Sequence, residues 1–343
     1  MSRLRFALVS SALVLGASAC ADRGVPTAPA NDSVRAVMSG NGESLELFND
    51  SPRAHVHELK GANNERSAAR NAGGGSGGTG IYFHGGPVLQ AGTKVVSVYW
   101  ASSPIYSGGP AAGTTGAGSA DGSLVGYLLS HLGGSPYFNI NTTYTNSAGA
   151  HIVNSVTYTG YWANNASVPA NGASVSDAQM VAMLQSGINA GKITYDASTI
   201  YSIFTAGTVN LGGGFGTQYC AYHTHGTVSV GGVSKTILYA AMPYDYAYPS
   251  GCTAQKASPN GDPAADAEVN TLAHEIEETT TDMMGNAWYD RRGYENADKC
   301  AWMWGTTFTQ SNGGVYNVTM GAKNFLIQMN WINLGSGGCR NTY

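Results

Sequence analysis

Apolar residues recur along this chain in two patterns, one with the period of a strand and one with the period of a helix. Five runs rich in β-branched and aromatic residues predict strands, at 94–100, 151–161, 199–206, 227–230 and 235–242. Residues 121–132 and 176–191 instead place apolar side chains three and four positions apart, which predicts helices; Ser176 suits the start of the second and Gly191 its end. We therefore expect an α/β or α+β domain, with helices packed on a mixed β-sheet.

A third helical pattern begins at Pro263, a residue that suits the first turn of a helix. Its apolar positions recur at steps of three and four: Ala265, Val269, Leu272, Ala273 and Ile276. This spacing predicts a helix with one buried face.

The same helix carries an unusual density of ionisable residues for a chain in which only 11% are charged. His274 and Glu278 lie one turn apart, so an imidazole nitrogen and a carboxylate oxygen can converge on one cation. Glu275 projects beside them, towards a water bound to that cation. This is the logic of the zincin motif H-E-x-x-H, with Glu in place of the second His. We predict His274 and Glu278 as metal ligands and Glu275 as the catalytic base.

Further ligand candidates lie outside the helix. Glu295 follows Glu278 by 17 residues, close to the spacing at which thermolysin-like zincins supply a third ligand, and Asp298 is placed to support His274 from outside. His223 and His225 alternate in the run YCAYHTHG and are weaker candidates for additional ligands. Zinc is the expected metal, and calcium is the alternative that dispenses with histidine. An ordinary acidic helix face, with His274 paired to a carboxylate, explains so short a motif without any metal.

The composition favours an extracytoplasmic protein and gives no sign of nucleic-acid binding. The chain has 343 residues, 47 Gly, 20 Tyr and a formal net charge of -4. Such a composition suits a rigid, loop-rich extracytoplasmic protein. The mild charge and the lack of a Lys/Arg cluster give no electrostatic footprint for nucleic acid.

The N-terminus has the pattern of a secretory signal. Arg3 and Arg5 precede an apolar run and then small residues, which predicts a signal peptide at 1–20. Its ending, Ala-Ser-Ala-Cys, resembles a bacterial lipobox, so lipidation of Cys20 and ordinary secretion are both open. A lipid at that position is the only membrane attachment we expect.

Residues 21–80 hold few large apolar side chains and finish in GGGSGGTG. This composition predicts a disordered tether or a propeptide, with one folded domain at 81–343. The sequence His55-Val-His57-Glu58 lies within this segment. We do not expect it to hold a metal, because a segment that cannot bury apolar surface rarely fixes ligand geometry.

Four cysteines remain in the predicted domain: Cys220, Cys252, Cys300 and Cys339. An even number of cysteines in an oxidising compartment predicts two disulfides. A zinc–thiolate site is the competing interpretation, but these cysteines include no C-x-x-C pair that would support it. Three pairings are open and sequence alone does not choose among them. We expect 220 with 252 and 300 with 339, because each closes a modest loop.

Several motifs occur together in a familiar order: HGGPVL, KVVSVYW, CAYHTHG, SPNGD, AWYD and KNFLIQMNW. With H-E-x-x-E they resemble the Exordium or phosphate-induced protein family, over about 81–339. The resemblance implies an extracellular, wall- or envelope-associated protein without a settled biochemical activity. Six residues match positions of the family pattern: His274, Glu275, Glu278, Glu295, Asp298 and Cys300.

Two functions from different classes fit these observations. The first is a zinc-dependent hydrolase of peptidase or amidase type, acting outside the cell or in its envelope on a peptide, protein or envelope glycan, as a monomer. The second is a non-catalytic extracellular protein that binds a glycan or a protein partner through aromatic loops at 244–248 and 288–304.

Overall fold

The structure is a computed structural model that describes residues 36–38, 44–46, 54–60 and 80–343, with side chains from 56–60 and 80–343. The predicted signal peptide, Cys20 and most of the predicted tether lie outside these residues. In the described part, no helix has the length and apolar character needed to cross a membrane.

The helices and strands of the described residues are as follows. Three α-helices are α1 (Leu124–Leu132), α2 (Asp177–Asn189) and α3 (Pro263–Thr281), and four short 3-10 helices are Gly118–Ala120, Phe138–Thr143, Asp245–Ala247 and Asp298–Cys300. The strands are β1 (Ala36–Met38), β2 (Ser44–Glu46), β3 (Ala54–Glu58), β4 (Tyr82–Phe83), β5 (Thr93–Trp100), β6 (Thr115–Ala117), β7 (Val156–Asn164), β8 (Ser174–Val175), β9 (Thr199–Thr205), β10 (Asn210–Leu211), β11 (Tyr219–Val230), β12 (Val233–Met242), β13 (Trp288–Tyr289), β14 (Phe308–Thr309), β15 (Val315–Tyr316), β16 (Val318–Met320), β17 (Lys323–Phe325), β18 (Asn330–Ile332) and β19 (Gly338–Arg340).

One mixed sheet joins nine of these strands in the order β2-β1-β3-β11-β12-β9-β5-β7-β6. Its centre is parallel, because β12, β9, β5 and β7 pair in the same direction. The β11–β12 pair and the β3–β11 pair are antiparallel. The expected mixed sheet with packed helices is therefore confirmed.

Alternation along the strands divides the interior into two cores. On β5, Val95 and Tyr99 pack with α1 and α3, whereas Val96 and Val98 pack with α2. Successive side chains of a strand point to opposite faces, so a central strand that carries buried apolar side chains on both faces needs helices on both sides. The sheet is thus covered by α1 and α3 on one face and by α2 on the other.

The helices begin where their capping residues predict. The Ser176 hydroxyl accepts the Gln179 N–H while the Gln179 side chain accepts the Ser176 N–H, which forms a capping box. At α3, the Asp262 carboxylate accepts the Ala265 N–H at 3.1 Å, with proline at the first helical position. Two strand boundaries differ from expectation: β7 begins at residue 156 rather than 151, and β11 already begins at residue 219.

The prediction that α3 has a single buried face is wrong. Every residue from Ala264 to Thr281 is buried. The sheet and α1 cover the apolar side, while β3, β17 and the 138–143 turn lie against the rest of the helix. A helix enclosed in this way must satisfy its charged side chains inside the protein, so the solvated acidic face is excluded.

The N-terminal strand β3 is also a departure from the sequence prediction. Residues 54–58, within the predicted tether, pair with β11 in the register His57 to Ala221 and Val56 to Tyr222. Val56 and His57 are buried. A five-residue strand in a polar segment gives little local signal, because its stability comes from pairing with a strand more than 160 residues away.

Two disulfides confirm the expected pairing. Cys220 joins Cys252 and Cys300 joins Cys339, with Cα–Cα distances of 5.3 and 5.6 Å. Both fit an oxidising, extracytoplasmic compartment.

Candidate metal centre

The centre lies between α3 and the face of the sheet that α3 covers. On β11, Ala221 packs into the core shared with α3, whereas Cys220 and Tyr222 pack into the opposite core. The period of the strand therefore directs His223 towards α3. The sequence pattern of alternating histidines contained this information, but only the pairing of β11 could show which face α3 occupies.

One group of donor atoms forms around His223. Its Nε2 lies 3.0 Å from Oε2 of Glu295 and 3.6 Å from Oε2 of Glu278. The three side chains are of the types that bind metals, and their donor atoms lie within 4.8 Å of one another.

A second group forms around His274. Its Nε2 lies 3.0 Å from Oε1 of Glu278 and 3.5 Å from Oδ1 of Asp298. Oε1 of Glu278 also accepts the backbone N–H of Asp298 at 2.8 Å, which ties the helix to the 3-10 turn. These donor atoms again lie within 4.8 Å of one another. The predicted ligands therefore meet, but Glu295 pairs with His223, and Glu278 links the two groups.

The donors are withdrawn from water. His274, Glu275, Glu278 and Glu295 have no exposed surface, and Asp298 is 3% exposed. Within the described residues, His274 Nε2, Glu278 Oε2 and both carboxylate oxygens of Glu275 have no hydrogen-bond partner. Buried polar atoms are nearly always satisfied, so such a concentration marks this place as unusual.

The loop that carries Glu295 and Asp298 is held in place by hydrogen bonds, an ion pair and a disulfide. The Asp290 carboxylate accepts the N–H groups of Arg292 and Tyr294 at 2.8 and 3.1 Å and pairs with the Lys299 ammonium at 3.2 Å. Two residues after Asp298, Cys300 anchors the loop to Cys339. On the other side, the Cys220–Cys252 disulfide lies three residues before His223.

Gln328 holds the imidazole of His274 in place through the ring nitrogen Nδ1, on the side away from Glu278 and Asp298. Its amide nitrogen lies 2.8 Å from Nδ1 of His274 and donates to the Ala297 carbonyl at 2.9 Å. Its backbone N–H donates to Asn270, one turn before His274 on α3. These contacts hold the ring so that its other nitrogen, Nε2, is directed at Glu278 and Asp298. Sequence reasoning missed Gln328, since nothing local marks it.

Burial and mutual charge govern the protonation of the carboxyl groups. Burial raises the pKa of Glu275 to about 8, even though the two histidines oppose the shift. Burial and the charge of Glu278 raise the pKa of Asp298 to about 7. Burial also raises the pKa of Glu278, but the charges of His274 and His223 outweigh it and hold that pKa well below its usual range.

His57 is a further residue at the centre, although no metal was expected in its segment from the sequence. Its ring stacks on that of His274, with centroids 4.1 Å apart, and on Trp302 at 4.8 Å. Both ring nitrogens are buried without a hydrogen-bond partner in the described part of the chain. Burial and the nearby charge of His274 hold the pKa of His57 well below its usual range, which keeps the ring neutral. The sequence did contain one indication of a strand here, because His57 follows the β-branched Val56 in a run of alternating polar and apolar residues.

Other sequence candidates lie outside the two groups. His225 is half-buried and belongs to neither. Cys220, Asp245 and Cys252 also come together, but both sulfur atoms are used in the disulfide. In the aromatic loops, Trp288 and Trp302 are buried, and only Tyr246 of the 244–248 segment is classed as exposed, at 38%.

Comparison with known proteins decides the family. The model of the phosphate-induced protein 1 conserved region matches residues 133–333, which is more than half of the chain. The chain belongs to the phosphate-induced protein 1 family. It is 30% identical over 165 residues to the protein EXORDIUM-like 3 of Arabidopsis thaliana, which covers 40% of this chain and 48% of the relative. The chain thus aligns with about half of that relative's length. No solved structure matches.

Proposed function

We propose that this member of the phosphate-induced protein 1 family is an extracellular zinc metalloprotein able to hydrolyse peptide or amide bonds. The observation that supports the proposal is the convergence of two imidazoles and three carboxylates at 3.0–3.6 Å in the protein interior. Imidazole together with carboxylate is a typical ligand set for zinc.

A network of hydrogen bonds without any ion is the competing interpretation. It leaves His274 Nε2 and Glu278 Oε2 without hydrogen bonds, and each such buried group costs about 1–3 kcal/mol. A cation between them would satisfy both. The two histidines favour zinc over calcium, because calcium takes oxygen ligands.

Hydrolysis is the reaction for which Glu275 is suited. A zinc ion at this centre would acidify a bound water and polarise a substrate carbonyl. Glu275 would take a proton from the water that attacks the carbonyl carbon and pass that proton to the departing amine. Its carboxylate oxygens have no hydrogen bond in the described part of the chain, so both are available to exchange that proton.

Access to the centre requires that its cover moves, and β3 is part of the cover. His57 lies on His274, and the Trp302 indole donates to the Glu58 carbonyl at 2.8 Å. We infer that residues 21–80 act as a propeptide whose strand β3 keeps substrate from the centre until it is removed.

A second candidate is a non-catalytic extracellular protein that binds a glycan or a protein partner and uses the ion structurally. The complete burial of the donor side chains favours this candidate, since structural zinc sites are closed.

Measurement of bound metal and of peptide cleavage separates these possibilities. Zinc that is retained in full in Glu275→Gln but reduced in His274→Ala, with cleavage abolished in both, supports the hydrolase. Glu277→Gln is the matched control on the same helix. Metal binding without cleavage in the protein freed of residues 21–80 supports the non-catalytic candidate, and a folded protein without metal defeats both metal proposals.

A further inference from the structure

The carboxylate of Glu278 links two groups of donors that have no other member in common. Its Oε2 faces His223, which also contacts Glu295, and its Oε1 faces His274, which also contacts Asp298. We propose that the centre holds two divalent cations, one in each group, with Glu278 as the bridging ligand. This inference rests on the proposed metal-binding function and deepens it.

The number of donors favours two ions over one. An open zinc site uses three protein ligands and keeps the fourth position for water. A single zinc ion would therefore use only three of the five side chains and leave the other two buried without an ion. With Glu278 shared, the same five side chains supply three protein ligands to each of two ions.

The charge of the centre also favours two cations over one. Four carboxylates lie here without significant exposure, namely those of Glu275, Glu278, Glu295 and Asp298. Two neutral imidazoles add no charge, so two divalent cations would balance the four negative charges that these carboxyl groups carry when all are ionised. One cation would leave two negative charges in a medium of low dielectric.

The unsatisfied atoms lie where the ions are expected. His274 Nε2 has Glu278 and Asp298 at 3.0 and 3.5 Å, but it forms a hydrogen bond with neither. Glu278 Oε2 also lacks a hydrogen bond, although His223 is 3.6 Å away. Each group therefore contains a buried donor atom directed at its neighbours without bonding to them, as ligands around a shared ion are. Paired ions of this kind lie about 3.5–4 Å apart.

Metal stoichiometry tests the inference directly. The purified protein is loaded with zinc, passed over a desalting column and analysed for zinc per chain. We expect two equivalents in the wild type, one in His223→Ala and in Glu295→Gln, one in His274→Ala and in Asp298→Asn, and none in Glu278→Gln. His225→Ala, on the same strand and outside both groups, is the matched control and should retain two.

The possible outcomes separate the two proposals. No bound metal in the folded wild type overturns both the proposed function and this inference. One equivalent in the wild type, or complete loss in both His223→Ala and His274→Ala, overturns only the two-ion centre.

A spectroscopic measurement on the wild type avoids variants that fail to fold. Manganese bound in adjacent sites should give an exchange-coupled electron paramagnetic resonance spectrum. The spectrum of an isolated ion at full loading would contradict the bridge.

Discussion

The imidazole of His57 lies flat against that of His274, with ring centroids 4.1 Å apart and the ring planes at 22°. The contact joins the N-terminal strand β3 to the helix that carries most of the ionisable residues of the centre. The sequence did not predict this contact. Two experiments test whether it serves only packing or also controls access to the centre.

Replacement of His57 by phenylalanine should stabilise the protein. Both ring nitrogens of His57 are buried without a hydrogen bond in the described part of the chain, and each such group costs about 1–3 kcal/mol. A phenyl ring keeps the stack on His274 and removes this cost. We expect the free energy of unfolding, measured with urea, to rise by about 1–3 kcal/mol, whereas His57→Ala should lower it by about 2–4 kcal/mol through the cavity. Loss of metal in His57→Phe would instead identify the ring as a ligand.

Removal of β3 should open the centre. A protease site inserted between Lys60 and Gly80 allows the N-terminal segment to be cut from the folded protein. After the segment has dissociated, we expect a chelator to extract the ion at least about tenfold faster and peptide cleavage to increase, because His274 then loses the ring that covers it. The protein without the inserted site, treated with the same protease, is the control. Equal extraction rates, once mass spectrometry shows that the segment has left, would exclude β3 as a cover.

The helices and the central strands were predictable because their signals are local. The cap at Ser176, the proline at 263 and the β-branched run at 94–100 each act within a few residues. The H-E-x-x-E spacing likewise depends only on the pitch of a helix. These features placed His274, Glu275 and Glu278 correctly on α3.

The rest of the centre depends on contacts between distant parts of the chain. Whether His223 or His225 faces α3 is decided by where β11 lies in the sheet, and the role of β3 is decided by its pairing with β11. Gln328 reaches His274 from a segment without regular structure, 54 residues away. Such relationships have no periodic signature, because nothing in the neighbouring sequence is required for them.

Loss of the Cys300–Cys339 disulfide should weaken both the fold and the centre. The bond closes a loop with a sequence separation of 39, for which chain entropy corresponds to about 4 kcal/mol. We expect Cys300→Ser with Cys339→Ser to lower the free energy of unfolding by up to that amount and to reduce zinc affinity, because Asp298 lies two residues from Cys300. Calorimetric melting and zinc titration are the measurements. Unchanged zinc affinity in the folded double variant would show that the loop holds Asp298 without the bond.

Binding of zinc should release protons and strengthen as the pH rises. In the metal-free protein, burial lowers the pKa of His274, but the charge of Glu278 outweighs it and holds that pKa well above its usual value, so the ring carries an extra proton. Burial raises the pKa of Asp298 to about 7. A ligand must lose its proton before it binds a metal. We expect at least one proton per chain to be released at pH 7, with affinity rising up to about tenfold per pH unit for each proton released. Titration calorimetry in buffers of different ionisation enthalpy measures the number, and no release would contradict the proposed ligands.

Glu268 should make the metal-free protein less stable as the pH rises. It is buried on α3, six residues before His274, and desolvation raises its pKa from the ordinary 4.5 to about 8. Between these values the folded protein holds a proton that the unfolded chain has released, so the stability falls with pH by up to about 1.4 kcal/mol per unit. Glu268→Gln removes the titrating group, and its urea unfolding should depend less on pH across this window and exceed the wild type in stability at pH 8. Asp196→Asn is the control, because its carboxylate is partly exposed and the neighbouring Lys94 holds its pKa below the ordinary value, outside the window. A Glu268→Gln protein that keeps the wild-type slope would show that this carboxyl is already ionised in the folded state.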